Sequence, residues 1–390
     1  MPVHELLAEL DGIGHDRATG GYHRYSFGPA DQAMRSWFEM QAQKRDMAVE
    51  VDRNGNLWAT VGEVLNGGLI ATGSHLDSVP DGGRFDGPLG IATAFAALDD
   101  LHAHGLHPTK TVAVVAFAEE EGARFGVACL GSRLLTGAIA AEVASALTDQ
   151  DGVTLTEAMI AAGVDSTRLG PDLERLTRLE CFVEVHIEQG IGLIETGDST
   201  GLATGIWPHG RWRLDFRGQA NHAGTTRMED RDDPMAAFAR VVTNLIKEAQ
   251  ALGARATFGR LQVRPNATNA VPSEVTAWLD ARAADEATLH LLLSHIEEAV
   301  VTRESFTPAI EFDPELRKRM AETLGGLPEL ATAAGHDAGI LASMGIPAAM
   351  LFVRNPSGVS HSPNEYASPE DCEAGAAALA RVLADLAGYR

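Results

Sequence analysis

Five short stretches of this chain set imidazoles and carboxylates close together. The first runs Gly73-Ser74-His75-Leu76-Asp77-Ser78-Val79-Pro80 and continues Gly82-Gly83-Arg84-Phe85-Asp86-Gly87. A His, an Asp two residues on and a second Asp eleven residues from the His thus share a glycine-rich loop. Imidazole nitrogen and carboxylate oxygen suit zinc, manganese, cobalt or nickel. Asp77 is spaced to hold His75 by its far ring nitrogen. A His-x-Asp pair alone is more often an ordinary surface loop. The second stretch, Glu119-Glu120-Glu121-Gly122, follows an apolar run. Three adjacent carboxylates normally belong in water; at the end of a buried strand they need a cation or protons to offset their repulsion. One could then ligate a metal while its neighbour serves as base. The third is Glu184-Val185-His186-Ile187-Glu188-Gln189-Gly190. In a strand, residues two apart share a face, so Glu184, His186 and Glu188 are expected to point together. The fourth is Ser360-His361-Ser362-Pro363-Asn364-Glu365, and the fifth is the pair His336-Asp337 after Gly335.

The chain has 14 histidines, and most have a simpler reading. His102, His104, His107, His290 and His295 sit in or beside helical stretches and are expected to be solvated. His4, His15 and His23 have no partner pattern. His75, His186 and His361 stand apart because each lies at a strand end or in a Gly/Pro/Ser loop with carboxylates near. A further group lies in the region after 210: Asn221-His222-Ala223-Gly224-Thr225-Thr226-Arg227, Asn266-Ala267-Thr268-Asn269 and Asp280-Ala281-Arg282. His222, Asn269 and Arg282 together could clamp a carboxylate, Arg with a bidentate fork. The competing reading pairs Arg282 with Asp280.

Composition narrows the partners. The 390 residues carry 31 Lys+Arg against 54 Asp+Glu, a formal charge of −23. Such a surface repels phosphate backbones and anionic bilayers, which argues against nucleic-acid and membrane partners. The three cysteines, Cys129, Cys181 and Cys372, form no Cys-x-x-Cys, which disfavours a thiolate zinc site or a disulfide framework. Thr111–Ala118 and Gly90–Leu98 fall well short of the roughly 20 residues of a membrane span. The first residues lack the basic and apolar regions of a signal peptide, so a cytoplasmic address is expected.

The elements that must position these residues follow an α/β grammar. Ala30–Arg45 has helical spacing. Val49–Thr60 reads as a hairpin with a two-residue turn at Asn54-Gly55. Gly68–Thr72, Thr111–Ala118 and Cys181–Ile187 read as strands ending in polar clusters, with a helix over Gly87–His104 between the first two. Open α/β sheets place their sites at such carboxyl ends. From about 210 the order becomes strand Arg211–Arg217, helix Pro234–Leu252, strands Ala256–Val263 and Glu274–Ala281, helix Asp285–Thr302 and strand Thr307–Phe312. That is the split βαβ plan of a ferredoxin-like unit. A strand at Ala348–Val353 and a helix from Pro369 return to the first pattern. The expectation is an α/β, mainly parallel-sheet catalytic domain over 1–209 and 328–390, with an inserted ferredoxin-like α+β domain over 210–327.

The motifs together resemble the amidase/hydantoinase/carbamoylase family of dinuclear metal hydrolases, of N-carbamoyl-L-amino acid hydrolase and allantoate amidohydrolase type. GSHLDSVPDGGRFDGPLG, EEGARFG, VEVHIEQG, NHAGTT, GHDAG and SHSPNE occur in the family's order along nearly the whole chain. The resemblance implies two divalent ions per subunit (Zn, Mn, Co or Ni), with Asp86 bridging them. His75 and His186 would ligate one ion, Glu121 and His361 the other. It makes Glu120 the general base and leaves Glu119 outside the motif. Gln189, His222, Asn269, Arg282 and Gly358 match positions that contact substrate, with Asp77 behind the ligands. The inserted domain would be a lid and dimerisation domain, with some residues reaching the partner's site in a homodimer.

The implied reaction is hydrolysis of a ureido C–N bond in a small carboxylic acid, yielding ammonia and carbon dioxide. Glu120 would take the proton of the attacking water, His222 would stabilise the oxyanion, and lid closure would accompany turnover. A β-ureidopropionase is an alternative, as is an N-acyl amino acid hydrolase or peptidase of the wider superfamily. A non-catalytic carboxylate-binding protein is a further alternative, disfavoured by the full ligand set. Two departures stand out. Arg227 follows Thr226 where relatives have Pro; it would meet a substrate carboxylate or pair with Glu229 or Asp230. Glu119 adds charge beside the base.

Overall fold

A computed structural model describes residues 1–62 and 68–390. The chain divides into two compact units, Met1–Thr204 with Glu311–Arg390, and Gly205–Ile310.

The first unit is built on a nine-stranded mixed sheet. At its centre, Thr111–Phe117, Leu69–His75, Leu179–Ile187 and Ala348–Val353 lie side by side in parallel. All seven residues of Thr111–Phe117 are buried, as expected for a β-branched, continuously apolar strand covered on both faces. Leu57–Val61 joins one side antiparallel and Thr200–Ile206 the other. The helix Pro88–Ala103 is apolar nearly all round and buried along most of its length. It packs against the C-terminal helix Pro369–Leu386, and both join the main core.

The hairpin closes differently from the sequence expectation. Strands Ala48–Val51 and Leu57–Val61 pair antiparallel. The Asp52 N–H then donates to the Asn56 carbonyl at 2.9 Å, so the loop holds three residues rather than two. The Asp52 carboxylate accepts the N–H groups of Asn54 and Asn56 and the Trp58 indole N–H. Gly55 takes the left-handed position, φ 85°, that a three-residue loop requires.

The second unit carries a four-stranded antiparallel sheet in the order Val300–Thr307, His209–Arg217, Glu274–Arg282, Arg255–Arg264. With helices Pro234–Ala251 and Glu286–Ser294, this is the ferredoxin-like arrangement. Trp212, Leu214, Phe216, Val275, Ala277 and Leu279 alternate inward against Val241, Leu245, Leu289 and Leu292.

Several boundaries differ from those read in the sequence, among them the start of the inserted unit, at Gly205 rather than 210, and its last strand, expected over Thr307–Phe312. The second helix stops at Ser294, and Val300–Thr307 forms the last strand, because the β-branched Val300-Val301-Thr302 pairs with Arg213–Asp215. The inserted unit also ends at Ile310, not 327. The helix Pro314–Leu324 belongs to the first unit: Leu316, Met320 and Leu324 bury one face in the main core.

A candidate dinuclear metal centre

The central strands deliver their polar residues at their carboxyl ends. His75 closes Leu69–His75, Glu119–Glu121 follow Phe117, and His186 is the penultimate residue of Leu179–Ile187. Gly87 lets the next helix start against the His75 ring. Its φ is 85°, and a Cβ there would lie 2.5 Å from the imidazole.

Asp86 sits between two sets of groups. Its Oδ1 is 3.1 Å from His186 Nε2 and 3.5 Å from His75 Nε2. Its Oδ2 is 3.4 Å from His361 Nε2, which is also 3.4 Å from Glu121 Oε2. His75, Asp86 and His186, all buried, form one trio that could hold a metal ion. Asp86, Glu121 and His361 form another.

Hydrogen bonding fixes how the two inner rings face. His75 Nδ1 lies 3.1 Å from the Asp77 carbonyl and His186 Nδ1 lies 2.8 Å from the Ile187 carbonyl. A carbonyl can only accept, so each ring places a proton on Nδ1 and turns Nε2 toward Asp86. His75 Nε2 and Glu121 Oε1 are buried without a hydrogen-bond partner. Two buried, unpartnered ligand atoms beside the Asp86 carboxylate fit a bound cation.

The electrostatics agree. Burial works to raise the Asp86 carboxyl, yet the His186 and His75 imidazoles beside it hold it well below the usual carboxylate range. Burial pushes Glu120 well up, partly offset by His75 and reinforced by Asp337, Glu121 and Glu184. Glu121 is pushed well up by burial and then by Asp86. So many buried acids beside two imidazoles leave a site short of positive charge.

Glu120 Oε2 is 3.8 Å from His75 Nε2, and its Oε1 accepts from the Cys129 thiol. Gln189 donates to Asp86 Oδ2 at 2.9 Å. Asp77 differs from its expected part. Its backbone carbonyl holds the His75 ring, with the carboxylate 3.5 Å away, while the carboxylate accepts the N–H groups of Glu120 and Glu121. Gly358 has φ 65°, and a Cβ there would lie 2.4 Å from Ile191 Cγ2.

Several residues have structural roles instead. Glu188 lies past the strand end and accepts the N–H groups of Gly192 and Leu193, so it does not share the face of Glu184 and His186. Glu119 accepts the N–H groups of Arg124 and Phe125. Burial, then the Asp77 charge, pushes it up to about 7. Arg227 pairs with Glu229 and Asp230.

His336 is buried edge-on against His186, ring centroids 4.4 Å apart. Neither of its ring nitrogens has a hydrogen-bond partner. Burial, then the neighbouring His186, holds it well below the usual imidazole range. With Glu184 and His186 it forms another buried trio of ligand type. Ser360 and Glu365, given no role from sequence, both touch the Asp86 loop.

In the second unit, the ribbon Asn221–His222 pairs with Ala270–Val271, and Ala223 N–H donates to the Asn269 carbonyl. His222 and Asn269 are therefore neighbours. His222 Nδ1 accepts the N–H groups of Gly224 and Thr225, which leaves the ring proton on Nε2 as a donor. Arg282 does not join them. It closes the far end of Glu274–Arg282, about 26 Å along the strand from the end that adjoins the ribbon. It is bidentate to Asp280 at 2.8 and 3.1 Å. One copy of this unit therefore does not assemble the three-residue clamp expected from the sequence.

Residues 71–385 match peptidase family M20/M25/M40. An N-carbamoyl-L-amino acid amidohydrolase of Geobacillus stearothermophilus is 34% identical, covering 98% of this chain and 97% of its own. An allantoate amidohydrolase of Escherichia coli is 33% identical, covering 99% and 97%. A crystal structure of an amidase of the hydantoinase/carbamoylase family from Burkholderia multivorans superposes with a TM-score of 0.87. It is 30% identical and covers 99% and 97%. This chain belongs to peptidase family M20/M25/M40, among its hydantoinase/carbamoylase amidases. It is an amidohydrolase of a metal-dependent family.

Proposed function

We propose that this chain hydrolyses the ureido C–N bond of a small carboxylic acid, of the N-carbamoyl-L-amino acid or allantoate type, releasing ammonia and carbon dioxide. The observation that carries the reading is the Asp86 carboxylate, whose two oxygens face two separate ligand sets. Relatives named for ureido acids, at 34% and 33% identity over almost the full length, support the substrate class.

His75, His186 and Asp86 would hold one divalent ion, and Glu121, His361 and Asp86 the second. Zinc, manganese, cobalt or nickel suits this nitrogen and oxygen set. Two such ions, when bound, supply Lewis-acid activation of water and of the ureido carbonyl. Glu120 accepts the proton of the attacking water and delivers it to the leaving nitrogen. His222, through its Nε2 proton, stabilises the developing oxyanion. Asn269 and Arg282 hold the substrate carboxylate, and Gln189 and Gly358 line the site.

The unit Gly205–Ile310 is read as a lid and dimerisation domain. The separation of Arg282 from His222 and Asn269 supports a homodimer. A small ureido acid is far shorter than the strand between them, so one substrate meets both groups only if they come from two copies.

Glu120→Gln tests the chemistry. It should bind the same number of ions as wild type and lose turnover by at least a hundredfold. Equal ion content with near-normal ammonia release would refute the base assignment.

A further inference from the structure

We infer that Glu365 is a positioning residue for the bridging carboxylate, locking the loop that carries Asp86 to the loop that carries His361. The inference rests on the metal reading of the site proposed above.

Glu365 is 4% exposed. Its Oε2 accepts the backbone N–H groups of Phe85 and Asp86, both at 2.9 Å. Its Oε1 accepts from the Ser360 hydroxyl at 3.3 Å, a hydroxyl that also lies 3.3 Å from Asp86 Oδ2. Gln189 donates to that same Asp86 oxygen and to Ser360 Oγ. One carboxylate thus grips the main chain at Asp86 and, through Ser360, reaches the oxygen that faces His361. Gly83 makes room for it: a Cβ there would come within 2.2 Å of Glu365 Oε2.

A bridging carboxylate must present one oxygen to each ion at once, which fixes its rotation as well as its position. The Asp86 side chain is reached on one face by the inner imidazoles and on the other by His361. Backbone anchoring sets where its Cα lies, and the contacts of Ser360 and Gln189 set its rotation. Groups that orient metal ligands in this way typically change metal affinity 10–100-fold when removed.

The test compares full-length wild type, Glu365→Ala, Glu365→Gln and Gly83→Ala by equilibrium dialysis against Zn²⁺ or Mn²⁺ alone, with circular dichroism of the metal-free proteins. Glu365→Ala should bind ions 10–100-fold more weakly than wild type. Glu365→Gln keeps an acceptor oxygen for the two N–H groups and should stay within a few-fold of wild type. Gly83→Ala, which displaces the carboxylate without removing it, should weaken binding in the same direction. Wild-type affinity in Glu365→Ala would overturn the inference, and so would a Glu365→Gln variant as weak as the Ala variant. A wild-type protein that retains no ion would instead refute the proposed metal centre itself.

Discussion

Asp86 and Glu119 show how differently two buried acids can be employed. Asp86 is surrounded by imidazole nitrogens and held ionised, whereas Glu119 is used up on the backbone of residues 124 and 125. Removing Glu119 should therefore cost stability rather than chemistry. Glu119→Ala leaves two N–H groups without an acceptor, and urea denaturation should show a loss of about 1–3 kcal/mol with ammonia release per folded molecule retained. His222 is the opposite case. It is exposed, and its backbone-fixed tautomer offers one donor. His222→Ala should fold normally and lower kcat by about 10²–10³. A kcat near wild type would remove it from the reaction. The ligand candidates are legible in the sequence because each lies in a short motif at a strand end or in a Gly- or Ser/Pro-rich loop. The contacts that orient them are not. The Phe85 N–H and the Glu365 carboxylate that accepts it are 280 residues apart, and no local pattern encodes that meeting. Asp77 was legible as a neighbour of His75, but not which of its oxygens the ring would face.

At the level of elements, sequence pattern locates the central strands and the longest helices but not the strand Thr200–Ile206 or the short helices Leu130–Thr136 and Leu155–Ala161, and capping and pairing decide the ends. The run Thr111–Phe117 could be read directly, since seven buried positions in a row leave no alternation to misjudge. The stretch after Ser294 could not. Leu291, Leu292 and Leu293 continue a helical pattern, and only pairing with Arg213–Asp215 turns Val300–Thr302 into strand. The segment Pro314–Leu324 carries no element in the sequence reading, which places it inside the inserted domain; it is a helix that covers the main core. Its observed place gives a prediction. Met320 is 1% exposed in the main core, so Met320→Ala should destabilise the protein by about 2–5 kcal/mol. Denaturant midpoints of the full chain measure this. A loss below 0.5 kcal/mol, the usual range of a surface change, would contradict the packing.

For the whole molecule, the formal charge of −23 argues against polyanionic partners and favours the approach of cations. The buried acids around Asp86 extend that argument into the interior. Metal removal should therefore lower thermal stability. At a free ion concentration a thousand times Kd, reloading should restore about 4 kcal/mol, and an unchanged melting temperature would count against a resident ion. The separation of Arg282 from Asn269 within one inserted unit gives a second prediction. Arg282→Ala and Asn269→Ala proteins should each be weak, and mixing them under subunit exchange should restore about a quarter of wild-type sites, since each mixed dimer then holds one intact site. Failure to complement would place both residues at the same subunit's centre or neither.

The most direct test of the account is ammonia release by the zinc- or manganese-loaded protein on matched substrates. These are allantoate, a series of N-carbamoyl-L-amino acids, N-carbamoyl-β-alanine and an N-acetyl amino acid followed by its own product. Metal-dependent ammonia release from allantoate or a carbamoyl amino acid is expected, with no turnover of the N-acetyl compound. Bound metal with silence on every ureido acid would contradict that expectation.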